Sequence, residues 1–582
     1  MLPATTTVDP PPPLFDNKLR ACQPARHRLP PAWRWLALLL LATFLPRAVM
    51  AWRIEAVVPD GPFYISLAKS LESGDYATAL HNGVGLNLFP AVLMLLHKLG
   101  LPHETAGMAW SLLMSTLVVL PLFGWVRRQF DDRTAIVACL LYAFHGRFIQ
   151  WAPELIRDPT FWFLAMLTLY LGWRAVVEVR LWQSLAAGVA LTLAIHTRSE
   201  GWLLLLPILG WAAYRWCFLE TARWRVAAGS LLTLAVTPAA LLLLNVTWLH
   251  DHSQWEWGRF DFVKMLAGGE ANDAGRGNVA GAEFSEFNFQ LSVFGGQPRA
   301  ASHPFSFILH PFPTLLAAAE HPKTFVLLRR FVVKIEKALE PLFALLLLFG
   351  WWRWRKTYLH GDQLIVGLMN AALVGGMWVC NLRRQEIDSR YFLLMVLTAT
   401  PYAALGLIQF AHFLQQAVAR KGWRPEWGRA LPLFLLAVLA IVGAATSWTE
   451  SSLGPRKEQA DLGRWIKKQY GPNQVLAVPV VDGVITYFAE ARPAYFIAEQ
   501  PESLEAVVSQ SHPRAVLLVA KHYRSAQRPD MGALSSKVLA LGYTKIPADC
   551  LPAGSGDSHL FVLPADQPRS ARLSPPSDGK IW

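Results

Sequence analysis

The sequence predicts a polytopic α-helical membrane protein of about eleven spans followed by a small α/β domain. Three observations carry that prediction. Of 582 residues, 53% are hydrophobic and only 16% are charged, whereas a soluble domain is about a quarter charged. Apolar runs approaching the thickness of a bilayer core recur between residues 33 and 448. After Trp448 the composition changes to that of a soluble unit in which short helices and strands alternate.

Residues 1–32 are rich in proline and basic side chains (Lys18, Arg20, Arg26, Arg28) and read as a disordered cytoplasmic tail. The apolar run that follows has no small-residue cleavage site and precedes further spans, so it reads as an uncleaved first span within a transmembrane unit of 33–448. Residues 53–102 form a first external loop with surface helices. In that loop Tyr64, Leu67, Ala68 and Leu71 fall on one helical face and Lys69 and Glu72 away from it. Such a helix suits the bilayer surface, with Asp60 at the water–lipid boundary.

Further apolar segments lie at roughly 103–126, 134–150, 159–173, 182–197, 201–217, 227–248, 339–352, 364–380, 391–415 and 430–448. The run 86–101 is arbitrated by charge. Left out of the span count, it places the tail, Arg127, Arg128, Arg133, Arg174, Arg180 and the basic clusters at 215–225, 353–356 and 420–429 on one side. The positive-inside rule then gives a multi-pass protein of the cell (inner) membrane, with a cytoplasmic N-terminus and an extracytoplasmic C-terminal domain. A large external loop, 250–335, ends in a basic amphipathic helix (Lys323, Arg329, Arg330, Lys334, Lys337). Residues 449–565 read as helices at 460–470, 484–491, 503–510 and 532–541 and strands at 474–480, 494–498 and 515–520, the pattern of a largely parallel sheet. Residues 566–582 read as a flexible tail.

The net charge is +13, and most of the excess sits in short loops between apolar segments. Topology accounts for it, and no nucleic-acid partner is expected. The five cysteines are scattered and no pair has metal-ligand spacing. The C-terminal unit carries no GxGxxG, no phosphate-binding P-loop and no Ser-His-Asp arrangement.

This topology gathers carboxylates (Asp60, Glu154, Asp158, Glu200) and guanidinium groups (Arg157, Arg198, Arg390) on the external face. Charges at a membrane boundary are costly unless solvated or paired, so their clustering marks a candidate site. A carboxylate can act as general base on an acceptor hydroxyl, and arginines can hold a phosphate as its charge develops. A divalent cation is a further candidate for that second role. Structural readings stand beside these. Asp60 suits a helix cap alone; Glu154 and Asp158 suit the start of the span near Pro159; Arg198 and Glu200 suit a mutual pair; Arg390 and Tyr391 suit an interfacial anchor. His250 and His252 flank Asp251 but read as solvated loop residues, and the Asn245-Val246-Thr247 sequon falls at the end of an apolar run.

The pattern Asp60-x3-Tyr64-x3-Ala68-x5-Gly74-Asp75-Tyr76 after a first span resembles the first external loop of the polyprenyl-phosphate-sugar glycosyltransferases. These are membrane enzymes of the C-type fold (glycosyltransferase family 39-like) that include the protein O-mannosyltransferases and the lipid A aminoarabinose transferases. The resemblance continues through Asn87-Leu88-Phe89-Pro90, Arg127-Arg128-x-Phe130-x-Asp132, Glu154-Leu155-x2-Asp158, Thr197-Arg198-x-Glu200-Gly201 and Arg390-Tyr391-Phe392-Leu393, and covers roughly 33–415. It implies inverting transfer of a sugar from a polyprenyl phosphate to a protein, lipid or glycan acceptor at the external face. Asp60 matches the catalytic aspartate and Asp158 a second acidic position. Arg198, Arg390 and Arg157 would contact the donor phosphate, with Glu154, Glu200, Tyr64 and Tyr391 in support. Phe63 stands where the aminoarabinose branch has an arginine, Asn87-Leu88-Phe89-Pro90 where that branch has Lys-Pro-Pro, and Gly61 where many mannosyltransferases have the second acid of an Asp-Glu pair. Donor sugar and acceptor therefore stay open. The alternative from a different class, a transporter or flippase for a lipid-linked sugar, calls for ionisable residues deep within spans, and here they sit mainly at span ends.

Overall fold

The first apolar run becomes the helix Ala32–Arg53 in the computed structural model, which describes residues 32–80, 86–218, 223–244, 322–354, 363–384, 388–420, 425–449, 453–479, 483–496, 501–519, 531–552 and 558–563. The N-terminal tail, most of the 250–335 loop with His250 and His252, the Asn245 sequon and the 566–582 tail lie outside the described residues. Five described helices are long and apolar enough to cross a membrane: Trp33–Arg53, His103–Gln129, Asp158–Glu178, Leu364–Leu382 and Ser389–Ala417. Shorter apolar helices accompany them at Leu88–Lys98, Leu181–Thr197, Pro341–Trp352 and Phe434–Trp448. The expected eleven counted apolar runs of both kinds. Leu88–Lys98, the run left out of that count, has 11 residues, or about 17 Å of helix against a hydrocarbon core of about 30 Å.

Local sequence explains the breaks. Pro121 cannot donate to the Leu117 carbonyl, and the long second span is accordingly two helices, His103–Leu117 and Val119–Gln129. The run expected at 134–150 divides into Asp132–Phe144 and Gly146–Trp151, parted by His145 in an extended conformation. Pro401 within Leu393–Arg420 leaves the Leu397 carbonyl without its helical donor, and the Thr400 hydroxyl supplies one at 2.8 Å. Arg47, fully buried near the end of the first helix, donates to the carbonyls of Thr43 (2.9 Å), Ala143 (3.0 Å) and Tyr142 (3.1 Å) and lies over the Tyr142 ring. A guanidinium in an apolar bundle is tolerable only with such partners.

Where helices cross closely, glycine is required. A Cβ at Gly350 would lie 2.0 Å from the Tyr402 carbonyl oxygen, and one at Gly406 2.0 Å from that of Leu346. The helices Pro341–Trp354 and Leu393–Arg420 thus meet backbone to backbone, as small residues permit in membranes.

The C-terminal unit is a five-stranded sheet of order β2-β1-β3-β5-β4, with β1 Val475–Pro479, β2 Arg492–Phe496, β3 Ala515–Val519, β4 Thr544–Lys545 and β5 Ser558–Val562. β1 pairs in parallel with β2 and β3, while β5 runs antiparallel to β3 and β4. The expected parallel strands are present, and the antiparallel edge is an addition the sequence reading did not contain. β4 has two residues and β5 carries a serine and a histidine, so neither has the apolar run that marks a strand. Alternation along the strands feeds two cores. Leu476, Val478, Leu517 and Leu560 face the helix Leu453–Tyr470, whereas Ala477, Val516, Leu518 and Phe561 face Pro501–Ser511 and Met531–Ala540.

This unit is bonded to the helical part. Arg456 donates to Glu154 Oε1 at 2.6 Å with both side chains buried. Tyr487 donates to Glu104 at 2.8 Å, and Tyr487 and Phe488 pack against the cluster of Val57, Tyr64, Ile65, Ala68, Phe89, Leu93 and Leu155. Removing one partner of a buried ion pair leaves an uncompensated charge, which costs about 3–5 kcal/mol. Arg456→Ala should lower the thermal unfolding temperature of the detergent-solubilised protein accordingly, whereas Glu154→Gln combined with Arg456→Met should recover most of the loss. Gly406→Val should cost at least about 1–3 kcal/mol by overpacking, in the same assay.

Candidate active site

Asp60 opens the helix Asp60–Ser73, whose other end is closed by Gly74 at φ +79°. Pro59 is the N-cap and no side chain makes a cap hydrogen bond. The Asp60 carboxylate instead meets Arg390, with Oδ2 2.8 Å from Nη2, and retains 38% side-chain exposure. The cap-only reading therefore does not describe its geometry. Tyr64, Leu67, Ala68 and Leu71 share one face as the spacing predicts, and Lys69 is exposed. That face is buried in the protein, with Tyr64 and Ala68 against Phe89, Leu93 and Leu155, where a bilayer-surface helix was expected. Gly61 lies under Val57 and Leu155, where a Cβ would sit 3.1 Å from the Val57 Cβ. A second acid at this position would be driven into apolar side chains.

The segment 152–157 joins Gly146–Trp151 to Asp158–Glu178 and carries Glu154 and Arg157. Asp158 has Pro159 beside it in the first helical turn and makes no cap hydrogen bond; its Oδ1 accepts from Arg198 Nη1 at 2.5 Å. Arg198 terminates Leu181–Thr197 and also holds Glu200 with two bonds, Nη2 to Oε1 at 2.6 Å and Nε to Oε2 at 3.3 Å. A bidentate fork of this kind is geometrically specific. It depends on Gly201, where a Cβ would come within 2.8 Å of the Ile195 amide nitrogen as the chain doubles back. The Tyr391 ring lies 4.5 Å from the Arg198 guanidinium carbon. Arg390 is aimed by Asp388, whose Oδ1 accepts from the Arg390 amide at 3.0 Å to start the turn Ser389–Phe392. Its Nε is buried without a partner.

Asp60 joins Arg390; Asp158, Arg198, Glu200 and Tyr391 form a second group beside it; and Arg157 lies 6.0 Å from the Tyr64 ring centre. Asp158, Arg198, Glu200, Arg390 and Tyr391 share a small cleft whose apolar wall includes Leu373 and Met377. Glu154 belongs to a different pairing, with Arg456 of the C-terminal unit, which the sequence reading missed. The two residues stand 302 positions apart, and no local pattern links them.

Charge sets the protonation states. Burial opposes ionisation of Asp60, but Arg390 above all, with Arg157 and Arg198 behind it, holds its carboxyl below the ordinary range. Burial opposes ionisation of Glu200 too, and Arg198 overrides it, bringing Glu200 down to about 2. Glu154 differs: burial raises it and Arg456 only partly offsets the rise. Burial also pushes the Tyr64 phenol up to about 12. Asp60, Glu154, Asp158 and Glu200 each face a guanidinium, so they do not form a bare oxygen cage of the kind a hard divalent cation prefers.

Residues 88–248 match the dolichyl-phosphate-mannose-protein mannosyltransferase family; Asp60 and Arg390 lie outside that stretch. No curated protein matches the chain in sequence. Among solved structures, ArnT from Cupriavidus metallidurans bound to undecaprenyl phosphate is similar over 92% of this chain and 99% of its own, at 14% identity and a TM-score of 0.56. The archaeal oligosaccharyltransferase AglB from Archaeoglobus fulgidus, in complex with an inhibitory peptide and a dolichol-phosphate, is similar over 92% of this chain and 75% of its own, at 14% identity and a TM-score of 0.54. The chain has the C-type glycosyltransferase fold, with a mannosyltransferase-type segment at 88–248.

Removing Arg390 deletes the main influence holding Asp60 down and leaves burial, which raises it. In infrared spectra corrected with Asp60→Asn, the protonated Asp60 band should appear only below the usual aspartate value of about 3.9. In Arg390→Gln the band should appear at higher pH; an unmoved band would show that the pair does not control the carboxyl.

Proposed function

We propose that this protein is an integral-membrane glycosyltransferase that moves a sugar, with inversion, from a polyprenyl-phosphate donor to a protein, lipid or glycan acceptor at the external membrane face. The observation that carries the reading is the Asp60–Arg390 pair, in which an accessible carboxylate is held ionised against an arginine that still has an unbonded buried N–H. The structural neighbours described above, one bound to undecaprenyl phosphate and one in complex with a dolichol-phosphate, support a polyprenyl phosphate as the donor class.

In this mechanism the acceptor hydroxyl approaches the anomeric carbon opposite the phosphate. The carbon–oxygen bond to phosphate breaks as the new bond forms, and the polyprenyl phosphate departs with its electron pair. Asp60 orients the hydroxyl and takes its proton. A carboxylate held below the ordinary range is a weak base, so that transfer comes late, once the acceptor oxygen has become acidic by bonding to carbon. Arg390 and Arg157 receive the charge on the leaving phosphate. Arg157 has no ion-pair partner among the described residues, whereas Arg198 is already bonded to two carboxylates. On this reading Arg198, Asp158 and Glu200 set the wall of the site, with Tyr64 and Tyr391 packed around it, and no step runs through a metal.

The reading places residues 1–32 in the cytoplasm, the transmembrane unit at 33–448, and the α/β domain 449–565 outside a cell (inner) membrane, ahead of the 566–582 tail. The basic pair Arg127 and Arg128 fits this orientation. Arg128 is bonded to Glu178, at the opposite end from Asp158 of a 21-residue helix, which is about 30 Å, the depth of a hydrocarbon core.

Asp60→Asn should leave the protein folded and inserted while lowering sugar transfer at least about a hundredfold. The assay incubates membranes with labelled polyprenyl-phosphate sugars and follows label onto acceptor. Transfer at the wild-type rate by the variant would remove Asp60 from the mechanism.

A further inference from the structure

A cluster apart from the candidate active site occupies the other end of the helix that carries Asp60. Glu72 lies in its last turn, 12 positions beyond Asp60, or about 18 Å along the axis. His97 ends the helix Leu88–Lys98 and His103 begins His103–Leu117. Between them the chain reverses at Gly100, whose φ of +97° favours glycine and whose amide bonds the His97 carbonyl at 2.8 Å. The reversal brings the two imidazoles into a stack, with centroids 3.8 Å apart and planes inclined by 23°.

The hydrogen bonds fix which ring atoms are available. His97 Nδ1 lies 2.8 Å from the Leu101 carbonyl oxygen. A carbonyl can only accept, so Nδ1 carries the proton and Nε2 of the neutral ring keeps its lone pair. A backbone carbonyl holding the far N–H is the usual support of a metal-ligating histidine. His103 Nε2 lies 3.0 Å from Glu72 Oε1. One ligand atom from each of Glu72, His97 and His103 falls within 4.8 Å of the others. Neighbouring ligand atoms on a tetrahedral zinc ion, at about 2.0–2.1 Å from the metal, are about 3.3 Å apart. The His103–Glu72 edge is therefore already at ligand spacing, and a small rotation of His97 at the protein surface closes the rest.

We propose that Glu72, His97 and His103 bind one transition-metal ion of the zinc class, with water in the fourth position. Two imidazoles and a carboxylate suit zinc better than magnesium or calcium, which prefer all-oxygen sites. The ion ties the ends of two first-loop helices to the start of the second span. It pins the helix of Asp60 at its distal end, and its position assigns it a structural role that leaves the candidate active site untouched.

The test uses tag-free, full-length protein in detergent, stripped with chelator and then titrated with zinc(II) or cobalt(II) alone. The wild type should bind one more molar equivalent at low micromolar metal than His97→Ala, and its cobalt form should show the intense visible bands of a tetrahedral site, absent from the variant. Zinc should also raise the unfolding temperature of the wild type and leave that of His97→Ala unchanged. His103→Ala and Glu72→Gln should lose the same equivalent. If either of these fails to fold, the comparison with His97→Ala decides, because that side chain is at the surface and its loss disturbs little packing. A wild type that takes up no metal in this range, or a His97→Ala protein that binds as much as wild type, overturns the proposal.

Discussion

Arg198 is the charge on which the rest of the candidate site depends. It is buried at the end of one helix and bonded to one carboxylate at the start of another helix and to a second in the turn that follows it. None of the three ions is tolerable alone in that environment. The Asp158 helix, the 198–201 turn and the Tyr391 turn are thereby held at fixed distances before any ligand arrives. Such a frame leaves Arg390 and Arg157 as the cations not bonded to more than one carboxylate. In the proposed mechanism this divides the arginines into one that builds the site and two that face the donor phosphate.

The departures from the two transferase branches have physical counterparts. Gly61 is confined by Val57 and Leu155, so the chain has one acid at this point where an Asp-Glu pair would have two. Asn87 acts as a helix cap, accepting from the Phe89 amide at 3.0 Å and starting Leu88–Lys98. These positions shape the first loop through packing and capping.

Much of this was legible in the sequence. Long apolar runs, a compositional change after Trp448 and an ordered series of acid–arginine motifs are local features, and local features survive being read one residue at a time. The first-loop helix illustrates it: spacing alone gave the buried face of Tyr64, Leu67, Ala68 and Leu71. What escaped was set by contact between distant segments. Arg456 meets Glu154 across 302 positions, β5 becomes a strand because β3 and β4 offer it partners, and His97 and His103 become neighbours only because Gly100 turns the chain. Arg198 with Glu200, two positions apart, was a readable pair; Arg198 with Asp158 and Arg390 with Asp60 were hidden for the same reason. A sequence shows that charges of both signs are available, and only the fold decides which meet.

The buried bond between Glu154 and Arg456 also has a meaning in time. A chain is made from its N-terminus, and domains fold in that order as they emerge. When the segment around Glu154 is first inserted, its counter-ion has not yet been synthesised, and the neighbouring loops lack the side of their core supplied by Tyr487 and Phe488. The acidic and basic residues of the candidate site are thus all present in the membrane before the surroundings that fix them are complete. Translation of the last quarter of the chain finishes a structure begun near its start, so a prematurely terminated product would be a membrane protein with an unfinished centre.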